Sequence, residues 1–391
     1  MKRTSPKGVR GRLWTGSGFR RGWLAWKGAR IAALGEGDPP RELRGALEDL
    51  GNRRVIPGFV DTLLHGFAGV DAGTATAEEL DLLARRLARA GVTSAWCGFY
   101  PLPAAGLRRA ARAWDGLREQ KGRPPRARLK GWHLEGPFLD PAWRGALPGV
   151  ALRKPTARAA QALVASCGGW LRMTTLSPEL PGAFPAARAL RRAGVRLAIG
   201  HTGADLATCF RLAEGGPIGI THLGNRMPAL TPRQPGPIGF ALAGGAHPVG
   251  VIPDGVHAVA SFLEMLAAHP GLEDALMFQS DCLAPGGTDH HRFVCGGRRL
   301  VRDGGVARDA RGNLAGTLLP LSQQLLARVA EGTLSWDQAL RGGCQVPGGL
   351  LRRRGRLRPG FRADLVALEA KTEIAAVWVG GRRVPAQDTI L

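Results

Sequence analysis

Glu135, His201, His222 and Asp281 are the residues of this sequence best suited to do chemistry, because each follows an apolar run. Glu135 ends the run Gly131-Trp132-His133-Leu134 and precedes Gly136-Pro137, His201 follows Leu197–Gly200, and His222 follows Ile218–Thr221. Asp281 comes after Ala275–Gln279. One carboxylate and two neutral imidazoles are a usual donor set for catalytic zinc, which keeps a further position open for water. A single strand-end histidine is more often structural, but two of them with a glutamate point to a divalent metal. An aspartate beside such a centre can take a proton from water, whose pKa the metal lowers towards ~7. These four residues read as a metal-dependent hydrolase.

Polar residues at the ends of several apolar strands are how a parallel barrel gathers catalytic groups at one face. From Val55 to Cys344 the sequence alternates apolar strands with amphipathic helices. Ala77–Ala90 places Leu80, Leu82, Leu83 and Leu87 on a helical face, Gly91 ends it, and Val92–Ser94 begins a strand. Ala186–Ala193 repeats the pattern, closed by Gly194 before the strand Val195–Ile199. His201 and His222 are separated by one short strand–helix–strand repeat. Such repetition fits an α/β fold of the (β/α)8, TIM-like class, which typically needs about 250 residues. A doubly wound open sheet is the alternative, weakened by the lack of a GxGxxG turn.

Both ends of the chain look different. Gly11–Trp14, Trp23–Trp26 and Ile31–Leu34 read as short strands, as do Asp364–Leu368 and Ile374–Val379. Neither end buries a core alone, so residues 1–54 and 345–391 are expected to share a small β-sandwich, with residues 55–344 forming the barrel between them.

Composition narrows the class. With 391 residues and 44% hydrophobic content, the chain can bury a substantial core. No apolar run reaches the ~18 residues of a membrane span, and the basic start Met1–Trp14 lacks an apolar signal stretch, so a cytoplasmic protein without membrane association is expected. Cys97, Cys167, Cys209, Cys282, Cys295 and Cys344 show no paired spacing and read as reduced thiols; Cys282, although beside Asp281, reads as a packing residue. The net charge of +23 comes mainly from dispersed arginine. The densest cluster, Arg352–Arg358, has no aromatic platform, and the chain has one tyrosine, so specific nucleic-acid binding is not expected. A pull on anionic small substrates is.

The ordered motifs PGFVDxxxHG, HLEGPF, GHT, THLxNxMP, IPDGVH and SDxxAPGG resemble the amidohydrolase superfamily. Within it they are most similar to the N-acetylglucosamine-6-phosphate deacetylase family. The similarity spans nearly the whole chain, including Ile31–Gly37, Asn313–Leu318 and Arg358–Leu368. It implies that Glu135, His201 and His222 hold one divalent cation, expected to be zinc, and that Asp281 is the catalytic acid and base. It implies that Asn225 and Arg226 contact a sugar phosphate through side-chain amide and backbone, and that His257 binds substrate. Arg233 matches an arginine that reaches the phosphate of the neighbouring subunit's substrate, which implies a homodimer. The implied reaction is hydrolysis of the acetamido group of a phosphorylated amino sugar.

Two departures stand out. Where many superfamily members carry an HxH pair for a second metal, this sequence has Leu63 and His65, so a full two-metal site is not expected and His65 is read as a residue behind the ligands. Where the family has a KGAH-like segment whose histidine lies near the scissile carbonyl, this sequence reads Arg144-Gly145-Ala146-Leu147. Leucine donates no hydrogen bond, and loss of one oxyanion donor costs ~10²–10³ in turnover; Arg144 is a candidate to compensate. The alternatives are an amidohydrolase acting on another N-acyl compound or cyclic amide, and a relative that binds a sugar phosphate without turnover.

Overall fold

Eight short parallel strands form one sheet in chain order: Phe59–Leu64, Val92–Phe99, Arg128–Glu135, Leu171–Leu176, Arg196–Ile199, Gly219–Ile220, Val249–Val251 and Leu276–Phe278. The computed structural model describes residues 7–120, 123–369 and 372–386. The last strand's continuation closes the sheet on the first. Asp281 N–H donates to Leu63 O and His65 N–H to Cys282 O, each at 2.9 Å. Strands covered on both faces should be apolar throughout rather than alternating, and every residue of Val92–Phe99 is buried.

A helix follows each strand: Ala77–Arg89, Ala104–Glu119, Ala157–Ser166, Ala183–Arg192, Leu206–Glu214, Gly236–Leu242, Ala260–Ala268 and Leu321–Glu331. This is the (β/α)8 barrel expected. Thr76 and Glu79 start the first helix with a reciprocal capping box, and Leu80, Leu83 and Leu87 are buried on its inner face. Gly91, at φ 81°, supplies the left-handed turn into the next strand. The helix expected from Ala186 begins earlier, at Ala183, after Gly182 in a left-handed conformation.

The two ends of the chain meet in a seven-stranded sheet. Lys7–Trp14, Phe19–Lys27, Arg30–Glu36 and Leu47–Pro57 come from the N-terminal side, and Leu365–Leu368, Ile374–Val379 and Arg382–Arg383 from the C-terminal side. The seam is the antiparallel pair Ile56↔Val366, and Val9, Leu24, Trp26, Ile31, Leu365 and Trp378 form a separate core beneath it. Leu47–Pro57 runs almost directly into the first barrel strand, which couples the two units.

A further antiparallel sheet, Arg292–Cys295, Arg298–Asp303, Val306–Asp309 and Leu314–Thr317, is inserted between the last barrel strand and the last barrel helix. Its Leu300 and Ala307 pack on Leu283 and Leu318, and a bridge from Thr317 to Cys282 ties it to the barrel. All six cysteines are buried and free. No helix among the described residues is long and apolar enough to cross a membrane.

Candidate active site

The barrel strands end where the chemistry was expected. Glu135 is the last residue of its strand, and His201, His222 and Asp281 each stand just beyond theirs. His201, His222 and Asp281 have φ of 51°, 33° and 50°. Non-glycine residues in this left-handed region carry strain of about 1–3 kcal/mol each, tolerated only where the surroundings over-determine the backbone. Here the adjacent barrel pairing does so, and the turned backbone aims each side chain into the barrel mouth.

Glu135, His201 and His222 are almost completely buried. Glu135 Oε1 lies 3.2 Å from His201 Nε2 and 3.0 Å from His222 Nε2, and those two nitrogens are 3.1 Å apart. His201 Nδ1 is 3.1 Å from the Trp143 carbonyl, a bond only an N–H can make, so its Nε2 presents a lone pair to the other two groups. His222 Nδ1 has no partner among the described residues. The three atoms converge closely enough to share one ion, and one carboxylate with two imidazoles suits a divalent cation.

His65, expected to act behind the ligands, touches two carboxylates. Its Nε2 is 3.0 Å from Glu135 Oε2 and 3.2 Å from Asp281 Oδ1. Burial alone would lower its pKa, but hydrogen bonds to Asp281 and Glu135 push it up to about 10. Burial alone would likewise raise Glu135, but His201, His222 and His65 hold its carboxyl well below the usual range. His65, Glu135 and Asp281 thus form a second convergent trio sharing one carboxylate with the first. Leu63 is fully buried.

Above this floor opens a cleft lined from both the barrel mouth and the inserted sheet. Asn225, Arg226 and His257 line it together, while Arg233 lies exposed in the turn closed by Thr231 and Gln234 and does not line it. His257 is held by Asp254, whose Oδ2 is 2.6 Å from Nδ1 and whose Oδ1 accepts from the His257 backbone N–H at 2.8 Å. Asp254 is pushed up by burial, yet His257 keeps it below its ordinary value. Leu147 lines the cleft, and Arg144 directs its Nη1 to the Leu147 carbonyl at 2.6 Å, where it is committed to the loop rather than to the site.

Sequence reasoning did not single out Tyr100, Asp254 or Arg298. Tyr100 lines the cleft and stacks on His65, with ring centroids 4.2 Å apart. Its being the one tyrosine of the chain was the available signal. Asp254 was legible as the acid three residues before His257. Arg298 had no local signal, since its place depends on the inserted sheet.

No protein-family model matches the chain. It is 32% identical over 359 residues to the N-acetylglucosamine-6-phosphate deacetylase of Bos taurus, covering 88% of this chain and 86% of that one. It is 30% identical to the N-acetylgalactosamine-6-phosphate deacetylase of Escherichia coli O157:H7, covering 84% and 87%. Among solved structures, an N-acetyl-D-glucosamine-6-phosphate deacetylase mutant from Mycobacterium smegmatis, in complex with N-acetyl-D-glucosamine-6-phosphate, superposes with a TM-score of 0.87 at 30% identity, covering 98% of this chain and all of that one. The barrel, the convergent Glu135–His201–His222 cluster and this similarity lead to one assignment: the chain belongs to the N-acetylglucosamine-6-phosphate deacetylase family of the amidohydrolase superfamily.

Proposed function

We propose that this chain hydrolyses the acetamido group of an N-acetylated amino sugar 6-phosphate, N-acetylglucosamine 6-phosphate foremost, to acetate and the free amine. The observation that carries this proposal is the convergence of Glu135, His201 and His222 next to a carboxylate, Asp281, that shares His65 with them. Glu135, His201 and His222 would hold one divalent cation, with zinc proposed from the donor set. When bound, such a cation polarises a carbonyl and lowers the pKa of water towards ~7.

The chain's own groups do the rest. Asp281 takes a proton from the attacking water and returns it to the leaving nitrogen, without which an amine is a poor leaving group. His65, bonded to both Asp281 and Glu135, orients the two carboxylates. His257, fixed by Asp254, and Asn225, whose amide reaches the His257 carbonyl at 3.4 Å, position the sugar away from the reacting carbonyl.

The exposed position of Arg233 supports its reaching into a neighbouring subunit, and hence a homodimer. Six unpaired buried cysteines support a cytoplasmic location.

The test is acetate release from N-acetylglucosamine 6-phosphate by zinc-supplemented protein, beside Glu135→Ala. Release that depends on metal and disappears in the variant is the expected result. Folded, metal-loaded protein that releases no acetate would set the deacetylase assignment aside for this chain.

A further inference from the structure

At the end of the barrel away from the site, the fold gathers basic side chains that the sequence scatters. Arg128 and Lys130 lie at the start of one barrel strand, Arg172 near the start of the next, and Arg196 at the start of the one after. Leu351 forms a core cluster with Val60, Trp96, Met173 and Ala198, one residue from each of four barrel strands. Arg196 stands over the Trp96 ring of that cluster, 5.8 Å from its centroid. Beyond Leu351, Arg352 and Arg353 turn through the left-handed region at φ 59° and 54°, and Arg354 donates from Nε to Ser94 Oγ at 2.9 Å. Ser94 is the sheet partner of Arg128, so the turn lies against the same strand starts.

These charges are not neutralised within the fold. The four strand-start cations, Arg353 and Arg354 take part in no ion pair among the described residues, and the nearby Asp364 is buried and faces Arg362 at 3.5 Å. Burial, and then the charges of Arg362, Arg128 and Arg30, push Arg354 down to about 10. Lys130 is likewise lowered by burial and by its arginine neighbours. Arg128, Lys130, Arg196, Arg352 and Arg353 are exposed.

None of the exposed large apolar side chains belongs to these segments, so neither a bilayer nor a protein partner finds a hydrophobic anchor here. What the face offers is a row of cationic donors on neighbouring strands, spaced ~4.8 Å apart, which matches a chain of phosphates better than a single one. It has no exposed aromatic ring on which an unpaired base could stack. A duplex needs none, because its bases are already stacked and its charged backbone faces outward.

We propose that this face of the barrel binds the phosphate backbone of double-stranded nucleic acid, without regard to base sequence. The surface lies at the strand starts, whereas the cleft lies at the strand ends, and the assignment does not rest on the deacetylase reaction.

The experiment measures fluorescence anisotropy of a short labelled DNA duplex titrated with the full-length protein, over about 50–200 mM salt. The wild type should bind with a slope of log K against log salt of about −4, as four or five neutralised phosphates give. Arg128→Gln/Lys130→Gln/Arg196→Gln should weaken binding about tenfold or more and make the slope shallower by about 3. The reference is Arg108→Gln/Arg109→Gln/Arg112→Gln, which removes the same charge from exposed positions of the helix Ala104–Glu119. It should change the affinity by less than about threefold. Both variants alter surface side chains and should keep the wild-type circular dichroism.

Equal losses in the two variants would overturn the assignment, leaving only the pull of the chain's overall +23 charge. A wild-type slope near zero would overturn it whatever the variants do. So would binding to phosphatidylserine vesicles with none to the duplex.

Discussion

The barrel mouth and the inserted sheet face each other across one cleft, and they are built on opposite terms. On the barrel side, side chains are fixed through the backbone. Glu135 ends a strand, and His201, His222 and Asp281 sit in left-handed turns locked by parallel pairing. On the inserted side, Arg298 is held by its own tip, through an ion pair and one carbonyl, on a half-exposed hairpin. The proton transfer proposed for Asp281 needs the first arrangement, because small displacements cost large factors in rate. Groups that recognise a charge at a distance tolerate the second. The contrast predicts that changes at the mouth act on turnover and changes on the opposite wall act on affinity.

The sharpest test of that contrast is Asp281→Asn. With Glu135, His201 and His222 untouched, metal content should stay near that of the wild type while kcat falls by ~10²–10⁴. Substantial residual turnover would take Asp281 out of proton transfer and blur the division.

Leu147→His probes the border between the two sides, because Leu147 lines the cleft from a loop rather than a strand. A donor placed there should raise kcat by about tenfold, less than the ~10²–10³ that a fully aligned oxyanion donor supplies. An unchanged kcat would mean that the site is already supplied with a donor. Asp254→Asn should be milder still: by weakening the hold on His257 it should raise KM by up to about tenfold with a smaller change in kcat. A fall confined to kcat would place His257 with the reacting groups.

The smallest effect concerns the barrel's own support. Asp61 is buried, accepting from the Leu63 and Ser280 backbone N–H groups at 3.2 Å, while its Oδ2 has no partner among the described residues. Burial pushes its pKa up to about 7 from an ordinary 3.8. The folded state therefore holds this proton more tightly than the unfolded chain, so the stability it contributes is present below pH ~4 and is lost as pH rises through about 7. Asp61→Asn, which is neutral throughout, should gain on the wild type by about 1 kcal/mol or more between pH 5 and pH 8 in urea titrations. A constant difference would mean that Asp61 is ionised in the fold at both pH values.

Much of the barrel side was readable in advance because its signals are local. A helix such as Ala77–Arg89 announces itself by capping residues, leucine spacing and a terminal glycine, and a strand buried on both faces by a continuous apolar run. Glu135, His201, His222 and Asp281 could be picked out because a polar residue directly after such a run must face the barrel mouth. The strands of the inserted sheet lack those signals. Arg298–Asp303 is six residues with four charges, and only its pairing with Arg292–Cys295 and Val306–Asp309 makes it a strand. The commitment of Arg144 to the Leu147 carbonyl was hidden for a similar reason, since one loop's folding decides whether that guanidinium faces the site or its own backbone.

The barrel, the joining of its two ends in one β unit, and the groups proposed here for hydrolysis could all be read from the chain alone. These follow from periodicity, punctuation and side-chain chemistry, all carried within a dozen or so residues. Tertiary packing was needed to bring His65 against both Glu135 and Asp281, to set Asp254 at 2.6 Å from His257, and to bring Arg226 and Arg298 together at Gly145. Apart from the short-range Asp254–His257 pair, those contacts join side chains from separate elements. Their distances are set by barrel closure and by the docking of an insertion, which no local pattern encodes.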